Sequence, residues 1–155
     1  MSVTLNKFLK NKGYCSVNLL FLKTKHYLIE ARINGINGKF ILDSGASNSC
    51  VCTTQENKFK LETKISKISA SSATSEISKT NISKKNLVSI FKWEGLIDLV
   101  TFKMSHINKA FNDKGIESIE GIIGADVLKK SKAILDYKSN KLYLKLWFNW
   151  FYNFN

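Results

Sequence analysis

Asp43, Ser44 and Gly45 stand where the apolar strand pattern "KFIL" ends, and apolar character returns at "CVC", residues 50 to 52. A carboxylate at the end of a half-buried strand is costly unless it is hydrogen-bonded, paired with another group or held protonated. Ser44 supplies a hydroxyl donor, and Gly45 permits a tight turn or the close approach of another backbone. The trio suits a carboxylate presented on a rigid loop for general acid–base work. Asp-Ser-Gly is also an ordinary turn tripeptide, and on these residues alone both readings stand.

The thiols offer less. Cys15, Cys50 and Cys52 cannot all pair within one chain, and this odd, sparse set does not fit a secreted disulfide scaffold. A reducing compartment follows, and the expected location is cytoplasmic. Cys50 and Cys52 fall on one face of a strand, as metal ligands can. His26 and His106 are the only histidines and neither lies at ligand spacing, so the two thiols read as small buried apolar groups. No metal and no other cofactor is expected.

The elements that must position Asp43 are mostly strands. Residues 1–13 read as an N-terminal arm, a short helix or a loose segment; "YCSVNLLFL" and "HYLIEARI" then form two antiparallel strands. Asn34-Gly35 and Asn37-Gly38 are strong turn signals, so "KFILD" must fold back on "LIEARI". "TTQENKFKLET" can hold a turn of helix, and "KISKISASSATSEISKTNI" reads as a hairpin with a Ser/Ala-rich tip. "NLVSIFKWEGLIDLVTFKM" is a strand pair turning at or near Glu94-Gly95, and "HINKAFNDKG" is a short helix or an irregular loop with a glycine stop. The end of the chain reads as a strand closing at Gly124, a short helix near residues 125–131, a strand "KAILDY" and a last strand "KLYLKLW" with Leu142, Leu144 and Leu146 on one face.

"ILDSGAS" followed by "IEGIIGADVLKKSKAILDYKSNKLYL" resembles the two hallmark segments of the retropepsin-like aspartic proteases, and is most similar to bacterial aspartyl proteases with "GIIGADVLKK"-type endings. The resemblance covers residues 14–147. It implies an all-β fold: a closed acid-protease barrel with one short helix in the C-terminal half and one lobe per chain. It makes Asp43 catalytic, with Ser44, Gly45 and Ala46 supporting its loop, and Ile122, Ile123 and Gly124 threading behind it. Ser69, Ala70, Ser71, Ser72, Ala73 and Thr74 would form the flap over a peptide or protein substrate.

Such enzymes use two carboxylates that share a proton, because adjacent like charges do not both ionise. No second Asp-Ser/Thr-Gly exists in this chain. Asp113-Lys114-Gly115 lacks the hydroxyl residue, Asp126 is placed to cap the short helix, and Asp98 and Asp136 lack the motif. The resemblance therefore implies an aspartic endopeptidase that acts as a homodimer, Asp43 facing its symmetry mate. One departure favours an inactive peptide-binding or dimerisation module of the same fold: the family's flap tip is commonly Gly-rich, and residues 69–74 contain no glycine.

A chain of 155 residues with 44% hydrophobic content is expected to form one domain. The net charge of +12 could attract nucleic acid, but Arg32 is the only arginine and the lysines are spread along the chain, which argues against that partner. No run of about 20 apolar residues marks a membrane span, and no signal-peptide pattern opens the chain. The aromatic tail, residues 148–155, follows Trp147 with Phe148, Trp150, Phe151, Tyr152 and Phe154. Such a tail can pack on its own domain or on a second copy, and a partner or a membrane interface is the further option.

Overall fold

The computed structural model describes residues 4–65 and 80–147; the flap stretch Ser69–Thr74 and the tail after Trp147 lie outside the described residues. Helix α1 (Leu5–Asn11) opens the chain with Thr4 as its N-cap and Leu9 buried. Strand β1 (Tyr14–Asn18) follows, then β2 (Leu20–Phe21), β3 (Tyr27–Ile33), β4 (Ile36–Leu42) and β5 (Cys50–Cys52). A 3₁₀ turn (Thr53–Gln55) leads to β6 (Thr63–Ile65), β7 (Asn81–Ile90) and β8 (Trp93–Phe102). Helix α2 (Ser105–Asn112), β9 (Gly121–Ile123), helix α3 (Ala125–Lys130), β10 (Ile134–Asp136) and β11 (Lys141–Lys145) complete the described chain.

Six strands close on themselves in the order β3-β4-β9-β5-β8-β7, and the ring is sealed by β7 returning to β3 through Arg32↔Ser89 and Ile33↔Val88. Closure removes the free edges that an open sheet would leave for aggregation. Strand β2 and strand β6 extend the same sheet outside the ring, and β1, β11 and β10 form a separate three-stranded sheet. The barrel interior is filled by Ile33, Phe40, Val51, Val88, Ile90, Trp93, Leu99 and Ile123, all at most 1% exposed. A second apolar cluster, Ile41, Cys52, Met104, Phe111 and Ile119, packs α2 against the outer face. Phe40 and Leu42 thus face one core and Ile41 the other, which is why "FIL" is apolar without alternation.

Turn chemistry accounts for the first hairpin of the ring. Asn34 and Gly35 take φ of +51° and +83°, and β3 pairs with β4 over its full length from Tyr27↔Leu42 to Ile33↔Ile36. Asn34 does more than turn. Its side-chain amide donates to Phe59 O at 2.9 Å and its Oδ1 accepts from Leu87 N at 3.0 Å, joining the turn to β7.

One expectation changes and another sharpens. The stretch "YCSVNLLFL" is split at buried Leu19: β1 joins β11 from Tyr14↔Lys145 to Asn18↔Lys141, and only β2 pairs with β3. The last strand competes for β1 because its leucines complete the core beneath both. The hairpin of β7 and β8 turns at Phe91 and Lys92, with Ile90↔Trp93 as its last pair, two residues before Glu94-Gly95. Gly95 serves packing instead: a Cβ there would lie 2.8 Å from Cη2 and Cζ2 of Trp93, which is 1% exposed. The segment left open between helix and loop is helix α2, capped by Asp113 and followed by Gly115 with φ +70°.

Gly95→Ala is accordingly expected to destabilise the fold by about 1–3 kcal/mol, because the added methyl would press on a buried indole. Urea unfolding should show a lower midpoint at an unchanged slope; an unchanged midpoint would contradict this placement of Trp93.

Candidate active site

Strand β4 delivers Asp43 to the surface. Its backbone is held from behind, since Asp43 N donates to Ile123 O at 3.0 Å while Leu42 lies in parallel register with Ile123. The side chain is exposed, and one carboxylate oxygen is committed: Oδ1 accepts from Gly45 N at 2.8 Å. Among the described residues Oδ2 has no hydrogen-bond partner. Gly45 keeps a negative φ here, and its lack of a Cβ keeps the space beside the carboxylate open, the nearest atom being Asp43 Oδ1 at 3.2 Å. Ser44 is exposed, with no hydroxyl hydrogen bond among the described residues, and Ala46 is half-buried.

The loop is rigid for reasons that lie beneath it. Strand β9 threads between β4, to which it is parallel, and β5, to which it is antiparallel through Cys50↔Ile122 and Val51↔Gly121. Ile122, Ile123 and Gly124 therefore pass directly behind residues 43–49. The space admits no side chain at the glycines: a Cβ on Gly121 would lie 2.1 Å from Cys50 O, and one on Gly124 would lie 2.7 Å from Ala46 O and 2.9 Å from Asn48 O. Ala125 N then donates to Ala46 O at 2.7 Å, tying the first turn of α3 to the same loop.

Ser49 and Asp126 complete the brace. Fully buried Ser49 donates from Oγ to Asp126 Oδ1 at 2.6 Å and from N to Asp126 Oδ2 at 2.9 Å, while its Oγ accepts from Gly124 N at 2.9 Å. Asp126 Oδ1 also accepts from Val127 N at 2.8 Å. Asp126 is thus structural, as its position in the sequence suggests: it holds the loop and also accepts from Val127 N in the first turn of α3. Ser49 was not legible as a site residue; a hydroxyl immediately before an apolar strand was its only mark.

The remaining aspartates lie elsewhere in the fold. Asp98 Oδ1 accepts from Lys85 N at 2.8 Å, where β7 bulges between Ser83 and Asn86. Asp136 accepts from the Ser139 hydroxyl at 2.6 Å and from Lys138 N at 3.0 Å, contacts that hold its carboxyl below the usual range. Asp113 closes the C-terminus of α2. Glu56 accepts from the hydroxyls of Thr101 and Thr63 and so joins β8 to β6 at the base of the segment 66–79. A concavity of about 600 Å³ lined by Glu30, Lys58 and Glu120 does not include Asp43, which stands on open surface.

Cys50, Val51 and Cys52 are all buried; Cys50 packs against β9, and Cys52 lies in the second core with its Sγ 3.2 Å from Thr54 Oγ1. Burial pushes the Cys50 thiol up to about 12, with the nearby carboxylates of Asp126 and Asp43 adding in the same direction.

No family model matches the sequence, and no curated protein matches it. Solved structures do match the fold. A retropepsin-like aspartic protease from Rickettsia conorii aligns at a TM-score of 0.58 and 17% identity over 84% of this chain and 90% of its own. The EIAV protease, solved with an inhibitor, aligns at 0.56 and 15% identity over 76% of this chain and 98% of its own. The retroviral protease-like domain of Ddi1 from Leishmania major aligns at 0.51 and 17% identity over 83% and 89%. The chain has the retropepsin-like fold.

Ser49→Ala removes a buried hydroxyl, strands Gly124 N and leaves Asp126 Oδ1 with Val127 N alone, so a loss of about 1–3 kcal/mol is expected. A double-mutant cycle with Asp126→Asn, read by thermal unfolding, should be strongly non-additive; simple additivity would contradict a shared brace. Maleimide labelling at about pH 8 should leave the folded chain's buried thiols almost unmodified and modify all three in urea. Rapid labelling of Cys50 before unfolding would contradict the packing described.

Proposed function

We propose that this protein is an aspartic endopeptidase that hydrolyses peptide bonds between the Asp43 carboxylates of two identical chains. The observation that carries this reading is Asp43 itself: an exposed carboxylate on a loop locked from behind by β9 and α3, with one oxygen oriented by Gly45 and the other unengaged among the described residues. A locked backbone with an open front is what positioned acid–base chemistry requires. The fold shared with solved retropepsin-like proteases supports the same reading.

In this mechanism the two Asp43 side chains share one proton. The ionised member takes a proton from a water as that water attacks the peptide carbonyl. The protonated member hydrogen-bonds the developing oxyanion and then supplies a proton for departure of the amine. No acyl-enzyme forms. Ser44 braces the loop across the two-fold axis, Gly45 and Ala46 allow the loops to approach, and residues 69–74 cover an extended substrate held by strand-like main-chain hydrogen bonds. The dyad titrates as a unit, so kcat/KM follows a bell-shaped pH profile on the acid side of neutrality.

A second reading is favoured by one observation: residues 69–74 contain no glycine, so a catalytically inactive peptide-binding or dimerisation module of this fold is the alternative. Asp43→Asn separates the two. For the endopeptidase, wild type cleaves a peptide library at about pH 4–6 and the variant loses at least about 10²-fold in kcat/KM. Peptide binding by both forms with turnover by neither supports the module instead.

A further inference from the structure

Four lysine–aromatic contacts gather at one end of the molecule. Lys145 Nζ lies 5.2 Å from the centroid of Tyr14 and also donates to Lys12 O, which brings the end of β11 against the end of α1. Lys12 Nζ lies 5.9 Å over Phe8 of the same helix. Residues 131 and 132 join from the other side: Lys145 N donates to Ser131 O at 2.8 Å, and Lys132 Nζ lies 5.2 Å over Trp147. The turn between β7 and β8 completes the group, with Lys92 Nζ 5.5 Å over Phe91 and the Lys92 backbone and ammonium close enough to act on the Cys15 thiol beside Tyr14.

The rings are not core. Phe8, Phe91 and Trp147 are 50%, 58% and 60% exposed, and Leu5, one turn from Phe8, is 48% exposed. Glu94 is the nearest acidic residue along the chain to the Phe91 turn, while Glu30, Glu117 and Glu120 line the concavity near β4 and β9. From Trp147 the sequence continues with Phe148, Trp150, Phe151, Tyr152 and Phe154. Lysine ammoniums beside exposed aromatic and leucyl side chains fit a surface that is anionic outside and apolar just beneath. Nucleic acid fits less well, because the cations are lysines and lack the bidentate guanidinium fork.

We propose that this end of the molecule, formed by α1, the Phe91 turn, Lys132 and Trp147, is a peripheral docking surface for an anionic phospholipid bilayer. No helix among the described residues is long and apolar enough to cross a membrane, so the contact is interfacial. It also lies away from Asp43. Tyr27, the register partner of Leu42, donates to Asn140 Oδ1 at 2.8 Å at the start of β11, whereas the lysine–aromatic contacts surround the end of that strand. The surface is therefore available whether or not two chains meet at Asp43, and the inference does not depend on the protease reading.

The test is co-sedimentation of the full chain with vesicles of phosphatidylcholine alone and of an equal mixture with phosphatidylglycerol. Binding is expected to the mixed vesicles only and to weaken as salt is added. Lys12→Glu with Lys132→Glu should weaken it at least about twentyfold, since each lysine near an anionic surface contributes about fivefold. Phe91→Ser with Trp147→Ser should also weaken it. Lys64→Glu with Lys84→Glu, the same charge change at the far end of β7, should change binding less than about threefold. Thermal melts confirm that each variant is folded. Failure of the wild type to sediment with mixed vesicles overturns the proposal, as does equal weakening by the distant lysine pair. Tighter binding to a duplex oligonucleotide, indifferent to the aromatic pair, overturns it in favour of nucleic acid.

Discussion

The fold depends on three residues of β9 lying between β4 and β5. Gly121 has its neighbour's carbonyl, Cys50 O, where a side chain would begin, and Gly124 is enclosed by the carbonyls of Ala46 and Asn48. Those contacts fix the depth at which the strand threads, and the parallel register with β4 fixes its position along the barrel. The barrel cannot close without β9, because it is the only bridge between β4 and β5 in the described ring. The loop carrying Asp43 inherits its rigidity from the same insertion, through Asp43 N to Ile123 O and through Ser49 to Gly124 N and Asp126. Closure of the fold and presentation of the carboxylate are one constraint.

What the amino-acid sequence revealed follows the range of the interactions involved. Asn34-Gly35 was legible because positive φ at a two-residue turn is a local property of those residues, and Asp43, Ile122, Ile123 and Gly124 were legible through a resemblance carried by contiguous segments. Ser49 with Asp126 was not, since 77 positions separate partners whose geometry exists only after β9 is threaded. The same applies to β1, whose alternation fits either β3 or β11 and is decided by which leucines complete the core. Glu94-Gly95 marked the neighbouring turn only to within two residues. A glycine that looks like a turn can equally be the floor beneath an aromatic ring, and the ring belonged to Trp93, two residues away.

The account of function rests on an asymmetry in the carboxylates. Asp98, like Asp43, is exposed with one oxygen held by a backbone amide, and Asp126 and Asp136 stabilise a loop and a turn; what distinguishes Asp43 is its place on the loop held from behind by β9 and α3. The sequence holds no second Asp-Ser/Thr-Gly, so the proposed chemistry is complete only in a pair of chains. The central claim is therefore a stoichiometry as much as an activity. Titration calorimetry with a peptide whose scissile amide is replaced by a tetrahedral secondary alcohol tests it most directly. One inhibitor bound per two chains, with binding abolished by Asp43→Asn, is the predicted result; one inhibitor per chain, bound by a monomer, would contradict the account.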